Sequence, residues 1–408
     1  MKILVTGAYC VLNKGDAALR LGGLPAIRDQ IPDANFTILT LFPEYDSKVY
    51  TDGRVVKALD TPGKALNAVI RCILWSVFTR GTKNLRKNNH FLDVDVLKEY
   101  ARADVIVDIS GDSISEVTGF QGTLYHLLHL WIATKLRKKT VIYAQSVGPF
   151  PYTKPFSKRL LNKTDLITLR GKISYDYLQN LKITNPPIYL TADVAFLMEP
   201  ASEERIDEIF EEIKKDKNSS FVGISVSNLI SRYYGSYDEY TTLMAKITDF
   251  IITELHTDVI FIPHVTGPDK EKDDRIVGEH VYQKITNKKH VYLIKKDYSP
   301  QETWGIIKQG ELFLGARMHA CIGALSVGVP VINISYHHKS PEIMQMFGLE
   351  ENVIAGGDLT FENATTTITQ TWGEREKIKR RITEERKKVR SEARKNAIIL
   401  QEFLKNDH

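Results

Sequence analysis

Cysteine is scarce in this 408-residue chain, and Cys10, Cys72 and Cys321 stand too far apart for a metal-ligand spacing or an even-numbered disulfide set. That excludes a disulfide-stapled secreted scaffold and points to a reducing cytoplasm. No apolar run reaches the roughly 20 residues that cross a bilayer. The N-terminus, MKILVTGA, reads as a first strand and lacks the longer apolar core and small-residue cleavage site of a signal peptide, so export is not expected. The three spaced glycines of a dinucleotide loop are missing after that strand, and no His/Cys/Asp/Glu cluster has ligand spacing. No cofactor and no metal are expected. The formal net charge is only +5, which suits an anionic substrate or an anionic membrane surface and is too weak to argue for nucleic acid. Internal repeats and low-complexity tracts are absent.

What is present is an ordinary globular composition, 43% hydrophobic and 26% charged, in a chain longer than one core usually supports. Short β-branched runs recur with helical stretches between them: KILVTG, NFTILTL, DVIVDIS, TVIYAQS and LITLR, then FVGISVS, DVIFIPH, HVYLIK, ELFLG and VPVINIS. This alternation predicts parallel sheets covered on both faces, hence an α/β protein of two doubly wound, Rossmann-like domains. The seam falls near LMEPASEERI, which gives an N-terminal domain over 1–197, a C-terminal domain over 198–373 and a charged amphipathic helix over 374–408 that packs across.

Two segments depart from the alternation. KALNAVIRCILWSVFTR, Lys64 to Arg80, is apolar on nearly every side and flanked by bases; it fits either a buried, domain-capping helix or one lying on a membrane or acceptor. The last helix sets Ile378, Ile382, Val389, Ala393, Ala397, Leu400 and Leu404 on one stripe. Between Glu374 and Lys395 it carries eleven Lys/Arg against five Glu, and this basic side fits a solvated face as well as a lipid contact.

Polar residues cluster where the predicted strands end, the edge at which open α/β sheets bind ligands. After the first strand come Asn13, Gly15 and Asp16, with Asp16 also a plausible N-cap. Later strands end at Ser110 to Ser113, at Gln145, Ser146 and Gly148, at Arg170, and at His264. The sharpest constellation is ELFLGARMHACIGALSVGVPVINIS, a strand, a turn and a helix opening at Arg317, Met318 and His319. Orphan N–H groups and the positive dipole end favour an anion there. Arginine grips a carboxylate or phosphate with a two-pronged fork, and histidine moves a proton near neutral pH.

This ordered series resembles the polysaccharide pyruvyl transferase family: N-K-G-D-A-A-L from Asn13, S-G-D-S from Ser110, Q-S-V-G-P-F from Gln145, L-R-x-x-x-S from Leu169, then Asp193 to Phe196, Pro263-His264, R-M-H from Arg317, and G-V-P-V-I followed by Tyr336 and Lys339. Ala144 stands where the family usually has glycine, and Gly171 where an acidic residue is common. The resemblance implies a GT-B-like pair of domains facing a cleft, and transfer of an enolpyruvyl unit from phosphoenolpyruvate to a sugar, with phosphate release and a pyruvate ketal as product. It implies a catalytic set of His319 as general acid with Arg317 and His264. It further implies donor contacts from Arg170, Arg317, Tyr336 and Lys339, with the C-terminal domain as the phosphoenolpyruvate side, and acceptor contacts from Asn13, Asp16, Ser113 and Gln145 on the N-terminal side. The expected acceptor is a cell-wall, capsule or other cell-surface glycan, in one version lipid-linked; the segment around Ile73 and Trp75 and the basic last helix would then hold a cytoplasmic enzyme at the inner membrane face. Two rivals share the pattern: a GT-B nucleotide-sugar glycosyltransferase, which commonly carries a glutamate where this chain has Gly323, and a noncatalytic glycan-binding protein.

Overall fold

A computed structural model describes residues 1–79, 90–335 and 340–406, and its secondary structure alternates as the sequence predicts. Seven parallel strands form the first sheet: β1 (Lys2–Ala8), β2 (Asn35–Thr40), β3 (Gly53–Lys57), β4 (Val105–Asp108), β5 (Lys139–Gln145), β6 (Leu166–Leu169) and β7 (Ile188–Leu190), in the order β3-β2-β1-β4-β5-β6-β7. Six form the second: β8 (Phe221–Ser225), β9 (Asp258–Phe261), β10 (Val291–Leu293), β11 (Leu312–Gly315), β12 (Val331–Ser335) and β13 (Val353–Ala355), in the order β10-β9-β8-β11-β12-β13. Every residue of β4, β6, β8, β11 and β12 is buried, as expected of strands covered by helices on both faces. Both sheets reverse strand order once, between β1 and β4 and between β8 and β11. Those switch points are where this architecture opens a crevice at the carboxyl edge.

The chain divides into two compact units, one of Met1–Val11, Gly23–Val194 and Glu392–His408, the other of Leu12–Gly22 and Ala195–Ser391. Linear boundaries at 197 and 373 miss two exchanges. The loop and helix start at Leu12–Gly22 group with the second unit because their backbone pairs there: the Lys14 N–H donates to the His264 carbonyl (2.8 Å), the Thr266 N–H to that of Leu12 (2.9 Å), and Asn13 bridges Val265. The last helix starts earlier than 374, running over Phe361–Lys405, and its residues change unit at Glu392. Its predicted stripe holds: Ile378, Ile382, Val389, Ala393, Ala397, Leu400 and Leu404 are all buried. Its bases are less solvated than expected, since Arg386 donates to the Ser326 carbonyl and Lys379 pairs with Glu311.

In the first unit the Pro62–Phe78 helix buries Ala68, Cys72 and Trp75 against the Asp95–Arg102 and Phe120–Lys135 helices. Trp75, expected at the membrane with Ile73, is therefore on the inner face at 3% exposure, while Ile73 is outside at 45%. Among the described residues no helix is long and apolar enough to cross a membrane. The three cysteines are buried and unbridged.

Candidate active site

In the second unit, β11 delivers the chain to Arg317, which occupies the N-cap of the Met318–Val327 helix without a side-chain cap of its own, so His319 lies in the first turn, half-buried. The helix ends where Gly328 takes a left-handed conformation (φ 89°) before β12. The Lys14–Gln30 helix begins beside it. Asn13, rather than Asp16, caps that helix, its side-chain oxygen accepting from the Gly15 and Asp16 N–H groups (3.2 and 3.4 Å). Asp16 instead pairs with the fully buried Arg20. Gly15 has no room for a side chain: a Cβ there would lie 2.6 Å from the Cβ, Cγ and Nδ1 of His319. The glycine of N-K-G-D is thus the surface on which the histidine ring rests.

His264 completes this group. It is 1% exposed, forms an edge contact with the Phe313 ring, and among the described residues no side chain bonds either ring nitrogen. Burial pushes its pKa down to about 3, the nearby Ile262 carbonyl opposes this, and the positive charges of Arg317, His319 and Lys14 add to the fall. The ring is neutral at pH 7, a hydrogen-bonding group rather than a strong base.

Arg317 is held by a residue that sequence reasoning passed over. Its Nε and Nη2 donate to the Asp274 carboxylate at 2.7 to 3.1 Å, and Nη2 also to the Lys272 carbonyl (3.2 Å). The same carboxylate accepts from the His264 and Val265 N–H groups (3.1 and 2.8 Å), so one buried acid fixes both the arginine and the turn carrying His264. Burial pushes the Asp274 carboxyl up from its usual range, against the pull of Arg317 and the two N–H groups. In the sequence Asp274 looks only like a first-turn helix residue. Lys14 was likewise passed over; it is buried and paired with Asp297, which also accepts from the Thr266 hydroxyl (2.6 Å).

The remaining expected residues lie in the first unit, except two. Arg170 is buried and ion-paired with Asp193 (2.6 Å), and its Nε donates to the Ser146 hydroxyl (3.0 Å). Gln145, expected to touch the acceptor, is wholly buried with its amide spent inside: its nitrogen donates to Asp108 and its oxygen accepts from the Ser110 hydroxyl (3.0 Å). Asp108 also takes the Thr6 hydroxyl (2.7 Å), which locks the switch point between β1 and β4. Ser113 is half-buried and donates to the Ser110 carbonyl (3.0 Å). Tyr336 and Lys339 fall outside the described residues. Ala144, where the family has glycine, sits at φ 52°, the left-handed region that glycine enters without strain.

A family model described as polysaccharide pyruvyl transferase matches residues 13–338. The amylovoran biosynthesis protein AmsJ of Erwinia amylovora is 23% identical over 372 residues, 86% of this chain and 87% of that protein. Among solved structures, the UDP-GlcNAc 2-epimerase of Neisseria meningitidis bound to UDP-GlcNAc superposes with a TM-score of 0.64 at 14% identity, over 99% of this chain and 100% of its own. A HepE protein of Anabaena in complex with UDP-glucose superposes over all of both chains with a TM-score of 0.58 at 12% identity. Likeness at that identity shows the fold, a GT-B-type pair of α/β units.

Proposed function

The chain belongs to the polysaccharide pyruvyl transferase family, and on that premise we propose that it moves the pyruvyl group of phosphoenolpyruvate onto two hydroxyls of one sugar in an exopolysaccharide or its precursor. The product is a cyclic ketal and the leaving group is inorganic phosphate. The observation that carries the reading is the grouping of His319, at a helix N-terminus, with Arg317, Lys14 and a buried, neutral His264 whose ring nitrogens no side chain among the described residues bonds.

His319 gives a proton to the methylene carbon of the donor, and positive charge develops at the neighbouring carbon, which one sugar hydroxyl attacks. The carbon–oxygen bond to phosphate then breaks and the second hydroxyl closes the ketal. Of the two hydroxyl protons, one restores His319 and the other leaves on phosphate. Arg317 already spends its Nε and Nη2 on Asp274, so in this scheme its part is a fixed positive potential beside the donor anion. His264, neutral, supplies a hydrogen bond to phosphate or hydroxyl. Tyr336 and Lys339 keep a donor-side role, and Asn13 and Asp16 act by shaping the loop under His319. Gln145 acts as framework, because its amide is engaged inside the first unit, and Arg170, its Nη1 and Nε fixed by Asp193 and Ser146, keeps a donor-side role as a positioned positive charge.

The glycosyltransferase alternative commonly carries a glutamate where Gly323 stands, and here the Trp304 indole fills the space a Cβ would take. The test is phosphate release and ketal detection with phosphoenolpyruvate and a panel of glycans. Donor-dependent phosphate release that is lost in His319→Ala is expected. Turnover of UDP-sugars with none of phosphoenolpyruvate would sink the assignment, and wild-type turnover by His319→Ala would remove the proposed acid.

A further inference from the structure

A surface helix with an apolar inner face ordinarily carries polar residues outside. The Pro62–Phe78 helix does not. Opposite its buried Ala68, Cys72 and Trp75 it exposes Leu66 (61%), Ile70, Ile73, Leu74, Val77 (56%) and Phe78 (57%), one unbroken apolar stripe. The stripe is not isolated. The Phe120–Lys135 helix packs beside it in one core cluster and beside the Lys154–Leu161 helix in the next, so the three lie in one layer on the same face of the first sheet. That middle helix exposes Phe120 and Leu124, the third exposes Phe156, and Tyr152 stands edge-on to the Phe120 ring. An exposed apolar surface of this spread on a soluble fold marks an interaction site.

Charge identifies the occupant. From Pro151 to Thr164 the sequence holds four Lys/Arg and no Asp/Glu, and Lys64 and Arg71 lie on the first helix. Lys154 and Arg159 are exposed on the same helix as Phe156. Apolar side chains bordered by the bases of the third helix match a bilayer whose surface is anionic. The geometry points to this three-helix face as the surface by which the protein docks on an anionic phospholipid membrane. The inference stands on exposure and charge and is independent of the pyruvyl reaction.

The experiment is vesicle co-sedimentation of the full chain, with phosphatidylcholine alone and with about 30% phosphatidylglycerol added, at low and high salt. Wild type should sediment with the anionic vesicles at low salt and be released by salt. Ile70→Glu/Val77→Glu should weaken that binding about tenfold or more, and Lys154→Glu/Arg159→Glu should abolish the preference for anionic lipid, both with unchanged melting temperature because the side chains are exposed. Phosphate release on a water-soluble acceptor is measured in parallel and should not change, so failure of docking and failure of the reaction are read separately. Wild type that stays in the supernatant overturns the inference. So does undiminished vesicle binding by Ile70→Glu/Val77→Glu. A wild-type dimer split by the same pair, with no vesicle binding, overturns it in favour of a second copy.

Discussion

Gly15→Ala tests the architecture of the site by the sign of its effect. Gly15 is the second residue of the Lys14–Gln30 helix, and alanine is worth up to about 1 kcal/mol over glycine inside a helix, so on local grounds the change should stabilise. The added methyl, however, meets His319 at 2.6 Å, and the atoms it meets include Cβ, which cannot swing away as the tip of a flexible side chain could. Overpacking of this kind costs about 1 to 3 kcal/mol, so the net expectation is a loss of up to roughly 2 kcal/mol. Relief of the clash requires moving the ring by about 1 Å, a displacement that costs on the order of 100-fold in rate when the group carries the chemistry. Urea unfolding and donor-dependent phosphate release measure the two quantities. Gly15→Ala/His319→Gly supplies the control: with the ring and its Cβ both gone the alanine should recover its helix advantage, so the double variant should be at least as stable as His319→Gly. A Gly15→Ala protein with wild-type turnover and raised stability would refute the claim that the loop carries the histidine.

Asp274→Ala should destabilise by about 3 to 5 kcal/mol, because it strands the Arg317 guanidinium and two backbone N–H groups in the interior; a loss under about 1 kcal/mol in urea would show the carboxylate to be dispensable. Asp193→Ala should cost about as much through Arg170, both partners being nearly inaccessible, and would leave the second unit's site untouched. Acid sensitivity follows from two buried imidazoles, His264 pushed down to about 3 and His129 to about 4, chiefly by burial. Below about pH 6.5 the unfolded chain binds protons that the folded chain refuses, so stability is full above that pH and falls towards pH 3 to 4; by pH 5 the two together cost about 4 kcal/mol. His264→Asn/His129→Gln should flatten the unfolding free energy between pH 7.5 and 5, and an unchanged slope would assign the acid loss to carboxylates instead.

Most of the fold was legible because parallel strands covered on both faces read as unbroken apolar runs, as VIVD, LITL and LFLG do here. The Arg317 and His319 pair was legible for a local reason, three adjacent residues in a strand–turn–helix. What escaped was long-range and made by the backbone. Docking of Leu12–Gly22 on the second unit runs through N–H and carbonyl groups of Lys14, His264, Thr266 and Leu12, and any sequence carries those groups. The Pro62–Phe78 helix, apolar all round, could not say which face is covered; burial of Trp75 and exposure of Ile73 say it.

Strand-end polar residues posed the harder problem, because one signal serves two physical ends. Gln145 and Arg170 sit where a ligand would be expected, yet Asp108 engages the Gln145 amide and Asp193 and Ser146 engage the Nη1 and Nε of Arg170 from within, since a buried amide or guanidinium left unpaired would cost several kcal/mol. His264 is the opposite case. It is as buried as Gln145, but among the described residues no side chain bonds its ring nitrogens, and the Ile262 carbonyl only partly offsets the cost of burying them. Burial alone therefore does not separate framework from site, and the bonds each polar group makes narrow the choice. By that measure Arg317 stands between the two. Asp274 holds its fork as Asp193 holds that of Arg170, yet Arg317 keeps some exposure, 13% against 4%, and its neighbour His319 is half-open in the first turn of an N-terminus. An arginine so fixed can present charge to an anion without itself having to be ordered on binding, which makes the Asp274 contact a means of positioning the cation rather than a competitor for it.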